Sequence, residues 1–172
     1  YICSPTEFHV KRITVKFICD RAVANEFVRH RAFSFVQEST RFCNYSKNKF
    51  NNEIQCIIPC WFSNLKENNS YDVDLCNNYD LTESECLSEE ENMWIRAMCL
   101  AEDAYFKLLE RGEKPQQARA VLPLALKTEL IMTGTVPQWE EFFKLRCAAN
   151  AHPQAKELAN MLKDKFKELC IL

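Results

Sequence analysis

The chain has 172 residues, of which 47% are hydrophobic and 12% aromatic, with a formal net charge of -2. This apolar content is sufficient for a packed core and excludes a disordered chain. The near balance of 22 basic and 24 acidic residues argues against a general nucleic-acid coat, so an anion site has to be a local cluster. With about 150 residues per domain as the prior, we predict a single domain spanning residues 1–172.

The spacing of the ten cysteines favours buried, reduced thiols over a disulfide framework and offers no convincing zinc motif. No CxxC pair is present, and the closest pair is Cys56 and Cys60. We therefore expect reduced thiols, a cytoplasmic protein and no metal site. No run approaches the ~18 apolar residues that span a bilayer, and no basic leader precedes an apolar stretch. Because the chain begins at Tyr1 and soon enters a strand-like pattern, we expect that an N-terminal segment precedes it.

The first predicted element is a half-buried strand at residues 10–19, in which polar residues alternate with Ile13, Val15, Phe17 and Cys19. Asp20 follows at a helix N-cap position, and residues 21–31 read as a short helix. Glu26 precedes Arg29 by three residues and His30 by four, so all three can share one helix surface. The RHR cluster then ends this helix or begins the loop after it.

The middle of the chain combines predicted loops with one long helix. Residues 44–53 and 61–82 read as loops, and residues 53–62 as a buried strand that Pro59 interrupts. Ser88 and Glu91 form a capping-box pattern. The helix that follows reaches Arg111, with Gly112 as its stop, and its apolar stripe contains Trp94, Met98, Ala101, Tyr105 and Leu108.

The last third predicts two helices around a second strand. A short helix opens at Pro115 and carries Arg119, and residues 122–135 alternate as a long strand that Gly134 ends. The next helix, from about Pro137, has on one face Trp139, Phe142, Phe143 and Arg146. The final helix starts near Pro153 and is predicted to bury Ala155, Leu158, Ala159, Leu162, Phe166 and Leu169. This order favours an α+β fold, with a small, mostly antiparallel sheet packed by helices.

The segment RHRAFSFVQESTRF, residues 29–42, gathers anion-binding groups. The guanidinium forks of Arg29, Arg31 and Arg41 suit phosphate geometry, and the hydroxyls of Ser34 and Ser39 can donate to the same anion. The alternating aromatic residues Phe33 and Phe35 are more often simply core. A histidine between two arginines, as at His30, is held neutral and either donates to a ring carbonyl or has no chemical task.

Arg146 stands where an apolar residue would be expected on its helix. A buried guanidinium must be paired, so it forms a core salt bridge with Glu129 or Glu141, or it holds a ligand anion or polar ring. Arg119, on an exposed helix face, is by itself most simply a solvated side chain. Ser39 lacks a GxSxG context for a hydrolytic nucleophile. Because the glycines are only two, a phosphate loop of the P-loop or Rossmann type is excluded.

The residues 29–41 fit the pattern R-H-R-x-x-S-x-x-x-x-S-x-R and thereby resemble the flavin-dependent thymidylate synthases, with matches at Arg29, His30, Arg31, Ser34, Ser39 and Arg41. A second block, QARAVLPLALKTELIMTG, looks like that family's arginine-then-strand segment. A third, WEEFFKLR, is similar to its helix that ends in an essential arginine. The resemblance extends from Thr6 to the last helix.

The resemblance implies a flavin-dependent thymidylate synthase-like fold and reaction. It implies reductive methylation of dUMP to dTMP, with methylenetetrahydrofolate as the carbon donor and a hydride from FAD that NADPH has reduced. The family lacks a cysteine nucleophile and assembles its active sites from several chains of a homotetramer. The expected partners are therefore dUMP, folate and further copies of the chain, with neither nucleic acid nor membrane.

The resemblance also assigns residue roles. It implies FAD contacts from Thr6, Arg29, His30, Arg31 and Gln37. It implies dUMP contacts from Glu26, Arg29, Gln37, Glu38, Ser39, Thr40, Arg41, Arg119 and Arg146. The catalytic roles would fall to Arg146, which helps to ionise the uracil ring, and to Ser39, which addresses the pyrimidine.

Two other hypotheses stay open. One is a non-catalytic nucleotide- or RNA-binding module that uses the arginines and aromatics, and the other is an inactive, truncated relative. The chain departs from the family pattern at His9 and Val10 and, after the second strand, at Thr135 and Pro137.

Overall fold

The computed structural model describes residues 11–47, 52–67 and 87–171. Within these ranges the fold is α+β, as predicted, with three strands and six α-helices. They are β1 (Arg12–Asp20), α1 (Arg21–Phe27), β2 (Ser34–Gln37), α2 (Ser63–Glu67), α3 (Glu89–Glu110), α4 (Pro115–Ala118), β3 (Lys127–Thr135), α5 (Val136–Arg146) and α6 (Pro153–Glu168), with a 3-10 turn at Arg119–Val121. The chain forms two compact units, one from the residues up to Gln37 and from Thr128 onward, the other from Glu38 to Lys127.

The first unit contains a small antiparallel sheet in the order β1-β3-β2. The antiparallel register of β2 on β3 places Ser34 opposite Thr133 and Gln37 opposite Leu130. Alternate residues of β3 are buried, because one face of the strand packs on the helices while the other stays partly accessible. The sheet therefore brings Ser34–Gln37, in the middle of the RHR-containing segment, beside β3.

The helix after β1 begins as predicted. The side chain of Asp20 accepts a hydrogen bond from the Val23 backbone N–H at 2.7 Å, which caps α1. The helix ends at Phe27, and the Phe33 N–H bonds the His30 carbonyl in the turn that follows. The RHR cluster therefore lies in the loop after the helix.

An aromatic core fills the first unit. Its centre is Trp139, whose indole N–H donates to the Ile13 carbonyl at 3.2 Å. The rings packed around it are those of Phe17, Phe33, Phe142, Phe143 and Phe166. The predicted apolar face of α5 is thus confirmed, since Trp139, Phe142 and Phe143 are all buried.

The second unit is organised by α3, whose predicted capping box is present. The Ser88 hydroxyl accepts from the Glu91 N–H, and the Glu91 carboxylate accepts from the Ser88 N–H. The same carboxylate accepts from the backbone N–H groups of Asn64 and Leu65, which ties α2 to the start of α3. Gly112 follows α3 with a φ of +93°, the left-handed conformation that favours glycine.

Several predictions about the elements are wrong, including the end of the first helix, which lies at Phe27 rather than at residue 31. Residues 53–62 form no strand and contribute one isolated bridge, from Cys56 to Leu126. The second strand begins at residue 127 rather than 122, because Pro123 has no N–H to donate and Leu124 is 64% exposed. Helix α2 lies in a predicted loop, and Leu169 at the end of α6 is 59% exposed.

The thiol prediction holds for most of the described cysteines but not for all of them. Among these residues, thiols that take no part in a disulfide are found at Cys19, Cys43, Cys56, Cys60, Cys147 and Cys170. Cys99 is disulfide-bonded, so the expectation of reduced thiols is wrong at that position. Burial raises the pKa of Cys19 to about 12, which makes it an inert core thiol.

Candidate functional site

Arg146, the last residue of α5, is paired in the first unit with the end of α1 and the RHR loop. Its Nη1 group donates to the Glu26 carboxylate, its Nη2 group donates to the Glu26 backbone carbonyl at 2.7 Å, and its Nε–H donates to His30 Nε2 at 2.9 Å. The Arg146 side chain is only 17% exposed. A salt bridge was one predicted alternative, but the expected partners are wrong: Glu129 pairs with Lys16 and Glu141 with Lys144.

His30 occupies a half-buried position between the aromatic core and Arg146. Its ring lies 5.1 Å from that of Phe142 and 6.2 Å, edge-on, from that of Phe33. Burial, and then the charge of Arg146, lower the pKa of His30 below its ordinary value of 6.5. The imidazole is therefore neutral at neutral pH, as the sequence predicted, although Arg146 rather than the flanking arginines is the charge responsible.

An open groove of about 260 Å³ lies beside the RHR loop, with walls from His30, Arg31, Ala32, Phe33, Pro137, Gln138 and Glu141. Arg31 is exposed at this groove. Phe33 is both core and groove wall, since it is 8% exposed. The groove is smaller than the ~300–1,000 Å³ typical of ligand pockets. It has room for a ring system and not for a complete dinucleotide.

Gln37, at the end of β2, carries a buried donor that lacks a partner among the described residues: its side-chain Nε2. A buried amide N–H without an acceptor costs about 1–3 kcal/mol. A ligand carbonyl would satisfy this donor, and a flavin or pyrimidine ring carries such carbonyls. The ring-sized groove thus fits part of a flavin nucleotide, whereas Gln37 is not among the residues that line it.

A second set of predicted site residues lies in the second unit. The Arg119 guanidinium donates to the hydroxyl of the buried Thr40 at 3.4 Å. The Arg41 Nε–H donates to the Gln116 side-chain carbonyl at 3.3 Å. Ser39 begins the turn that contains Thr40 and Arg41, and its hydroxyl accepts a hydrogen bond from the Arg41 N–H. The second unit therefore exposes two guanidinium groups, that of Arg41 in this turn and that of Arg119 at the start of the 3-10 turn.

The remaining predicted residues have simpler surroundings. Arg29 is exposed. Glu38 is half-buried and accepts from the thiol of Cys43 at 3.3 Å. Thr6, and with it His9 and Val10, lies outside the described residues. Ser39 is exposed and, within the residues that the structure describes, no histidine contact to it is present.

Two features of the site were not predicted from the sequence. One is Gln116, which holds Arg41, although two consecutive glutamines precede Ala118. The other is β2, because its four residues lie in a segment that was interpreted as a cluster of anion-binding groups. Across the described ranges, no metal-binding group of three His, Cys, Asp or Glu side chains is present, and no helix is both long and apolar enough to cross a membrane.

The exposed arginines Arg41 and Arg119 of the second unit suit a phosphate group, and the groove of the first unit, taken by itself, suits a ring. The family model for the thymidylate synthase complementing protein matches residues 4–170. The chain therefore belongs to this family, as its arginine motif predicted.

Three curated relatives illustrate the similarity. A probable flavin-dependent thymidylate synthase of Paramecium bursaria Chlorella virus 1 is 26% identical over 159 residues, which cover 92% of this chain and 68% of the relative. The flavin-dependent thymidylate synthase of a Synechocystis strain is 27% identical over 153 residues, covering 88% and 64%. That of Pyrococcus furiosus is 27% identical over 150 residues, covering 87% and 52%. The chain thus spans about half to two thirds of the length of these relatives.

Proposed function

We propose that the chain acts as a flavin-dependent thymidylate synthase that converts dUMP to dTMP with methylenetetrahydrofolate. The match of the family over residues 4–170 supports this proposal. The observation that carries it is the orientation of Arg146, whose guanidinium is largely withdrawn from water and held by Glu26 and His30. FAD, which NADPH reduces, would supply the hydride when bound, with Thr6, Arg29, His30, Arg31 and Gln37 as the residues that hold it.

The chemical task proposed for Arg146 follows from its charge and geometry. A cation beside a ring nitrogen lowers the cost of the anionic ring, and the effect is larger where water is excluded. Glu26 neutralises part of that charge, so oriented N–H donors matter more than net charge. Two of the five guanidinium N–H groups have no acceptor among the described residues and can meet a uracil ring edge.

The proposed nucleotide contacts divide between phosphate and ring. Arg41 and Arg119 supply forks for the phosphate, beside the hydroxyls of Ser39 and Thr40. The polar side chains of Glu26, Arg29, Gln37 and Glu38 complete the proposed set, with the amide of Gln37 donating to a ring carbonyl. Ser39 would address the pyrimidine as a donor rather than as a hydrolytic nucleophile.

Arg146→Lys tests the catalytic role directly. Lysine keeps the charge and loses the planar fork, so we expect the rate of dTMP formation to fall by about 100-fold or more. Flavin reduction by NADPH and dUMP binding should stay near the wild-type values. Lys144→Arg, an exposed exchange on the same helix, is the matched control. A purely structural salt bridge would instead lower the melting temperature and leave the rate per folded molecule unchanged.

Phosphate recognition gives a second test. We expect dUMP to bind more tightly than uridine by roughly 10-fold or more, since charge-assisted hydrogen bonds contribute about 1.5–3 kcal/mol. Arg119→Ala should reduce this preference without changing the affinity for uridine. Calorimetry that finds equal affinities for the two compounds in the wild-type protein would contradict the proposal.

One observation favours a different function, a binding module for single-stranded RNA. Phe42 is 79% exposed and carries the Arg41 guanidinium 5.4 Å from its ring centre. Exposed aromatic rings next to arginines are typical platforms for base stacking. Binding of an oligoribonucleotide that dUMP cannot displace, with loss of binding in Phe42→Ala, would support that alternative.

A further inference from the structure

The guanidinium of Arg146 is fixed in orientation by partners on three of its nitrogens. Nη1 and Nη2 bond the carboxylate and the backbone carbonyl of Glu26, and Nε bonds His30. The plane also lies near the Phe27 ring, with 5.9 Å from the guanidinium carbon to the ring centre. Because all three nitrogens are bonded, rotation about the last side-chain torsion would break at least one of these hydrogen bonds.

The bond from Arg146 determines the protonation state of His30. Arginine stays protonated and offers only donors, so His30 Nε2 must accept with its lone pair. A neutral imidazole with an acceptor at Nε2 carries its proton on Nδ1. Protonation of His30 would place an N–H against the Arg146 N–H and add a second positive charge beside the first. The lowered pKa of His30 agrees with this geometry.

We propose that His30 and Glu26 are positioning residues that aim Arg146, and that acidification releases this alignment by protonating His30. The proposal rests on the proposed function, because the alignment matters for turnover only if Arg146 faces the reacting ring. His30 then has a task beyond a cofactor contact: its neutral Nδ1–H tautomer sets the plane of the arginine fork. Glu26 correspondingly acts through Arg146.

The charges around His30 come from its own loop and from both helices packed against it. They are Arg29 and Arg31 on the loop, Glu26 on α1, and Glu141 and Arg146 on α5. Burial, and after it the charge of Arg146, disfavour the imidazolium, whereas carboxylates favour it. Because the Glu26 carboxylate is already bonded to Arg146, His30 stays neutral and is protonated only at acidic pH.

The tautomer of His30 is the first measurement, and it requires neither activity nor a ligand. In protein labelled with ¹⁵N, long-range correlation spectra at pH 7.5 should show a protonated Nδ1 and an unprotonated Nε2 for His30. A titration should place its pKa below the ordinary 6.5. The Arg146 Nε–H should exchange slowly with solvent at pH 7.5, and its protection relative to the intrinsic exchange rate at each pH should fall once His30 is protonated.

Two variants separate positioning from simple packing. His30→Gln keeps a neutral acceptor that does not titrate, and His30→Leu keeps bulk without an acceptor. We expect His30→Leu to speed exchange of the Arg146 Nε–H at least about tenfold and to lower kcat about 100-fold, with little change in the KM for dUMP. We expect the wild-type rate to fall at acidic pH, where His30 becomes protonated. His30→Gln should restore much of kcat and should not show this fall in rate. Glu129→Gln, which removes a carboxylate from the exposed pair with Lys16, should change none of these values.

The outcomes distinguish this inference from the proposed function. An Nε2–H tautomer in the wild-type protein, or unchanged Arg146 exchange in His30→Leu, would overturn the inference even if dTMP forms normally. An unchanged acid limb in His30→Gln would also overturn it. If the wild-type protein forms no dTMP with FAD and NADPH, the proposed function fails, while the tautomer and exchange results still decide whether His30 aligns Arg146. Should His30→Leu fail to fold, the wild-type tautomer and His30→Gln decide alone.

Discussion

At Gly134 the ring of Phe33 packs directly on the backbone of β3. A Cβ atom at this position would lie 2.4 and 2.6 Å from two carbons of that ring. These distances are far below van der Waals contact, and the ring is a wall of the groove beside the RHR loop. The absence of a side chain at Gly134 therefore determines where one wall of the groove lies.

We predict that Gly134→Ala lowers the free energy of unfolding by about 1–3 kcal/mol, because the core must shift to admit the methyl group. Urea denaturation measures this loss. In a protein that also carries Phe33→Leu, Gly134→Ala should lower the free energy of unfolding by less, because the clashing ring is absent. Gly112→Ala provides the comparison: it costs only the strain of a positive φ, about 1 kcal/mol, and Phe33→Leu should not alter it. If Gly134→Ala lowers the free energy of unfolding equally with and without Phe33→Leu, the contact between this position and the Phe33 ring is not the cause.

His30 also links stability to pH. Its folded-state pKa lies below the ordinary 6.5, so the unfolded chain binds its proton more readily. Its contribution to stability is therefore complete above about pH 6.5 and is lost as the pH falls toward the folded pKa. We predict that the wild-type melting temperature falls more steeply between pH 7 and pH 5 than that of His30→Gln. Parallel curves for the two proteins would show that His30 is not held neutral by folding.

At the scale of elements, Glu91 joins a short helix to a long one. Helix α2 has five residues, too few to be stable alone. The buried Glu91 carboxylate accepts hydrogen bonds from Asn64, Leu65 and Ser88. Those bonds satisfy N–H groups at the starts of both helices, so one side chain caps two elements.

We predict that Glu91→Ala accelerates amide hydrogen exchange in α2 and in the first turn of α3, and that it lowers the melting temperature. Glu89→Ala is the matched control, because Glu89 is an exposed acidic residue in the same first turn. Glu89→Ala should leave exchange in α2 unchanged. If Glu91→Ala leaves it unchanged as well, α2 is held by other contacts.

At the scale of the whole molecule, we predict a homotetramer. The family resemblance implies this assembly, although Phe33 is buried in its own unit and offers no surface to a partner. Large apolar side chains are nevertheless exposed at Val36, Phe42, Leu100, Leu124 and Met161. Where such side chains form a contiguous patch, they provide an interaction site. Light scattering at micromolar concentration should give a tetramer, and a monomer would count decisively against it.

Shared active sites can be tested by mixing variants. Arg119→Ala and Arg146→Lys should each be nearly inactive as separate proteins. If sites take these two residues from different protomers, hetero-oligomers formed by mixing the variants should recover a fraction of the wild-type rate. As the control, each variant is mixed with the protein that carries both substitutions, and this mixture should recover no activity. Absence of recovery in the first mixture, with exchange of subunits verified, would argue against sites shared in this way.

Local sequence signals determined much of this protein. Asp20 at the N-cap of α1, the Ser88–Glu91 capping box, the glycine after α3 and the aromatic face of α5 are each encoded within a few residues. The arginine motif at residues 29–41 was sufficient to predict the family. These predictions succeeded because caps and helical periodicity depend on neighbours one or two turns away.

The tertiary structure decided which distant groups meet. The sequence placed Arg146 on a buried face but suggested Glu129 or Glu141 as its partner, whereas the fold brings Glu26 to it across 120 residues. Likewise, Gly134 was read only as the end of a strand, although its place beneath Phe33 explains why a side chain is excluded there. Such contacts depend on how helices and strands pack, and no local pattern of charge or periodicity contains that information.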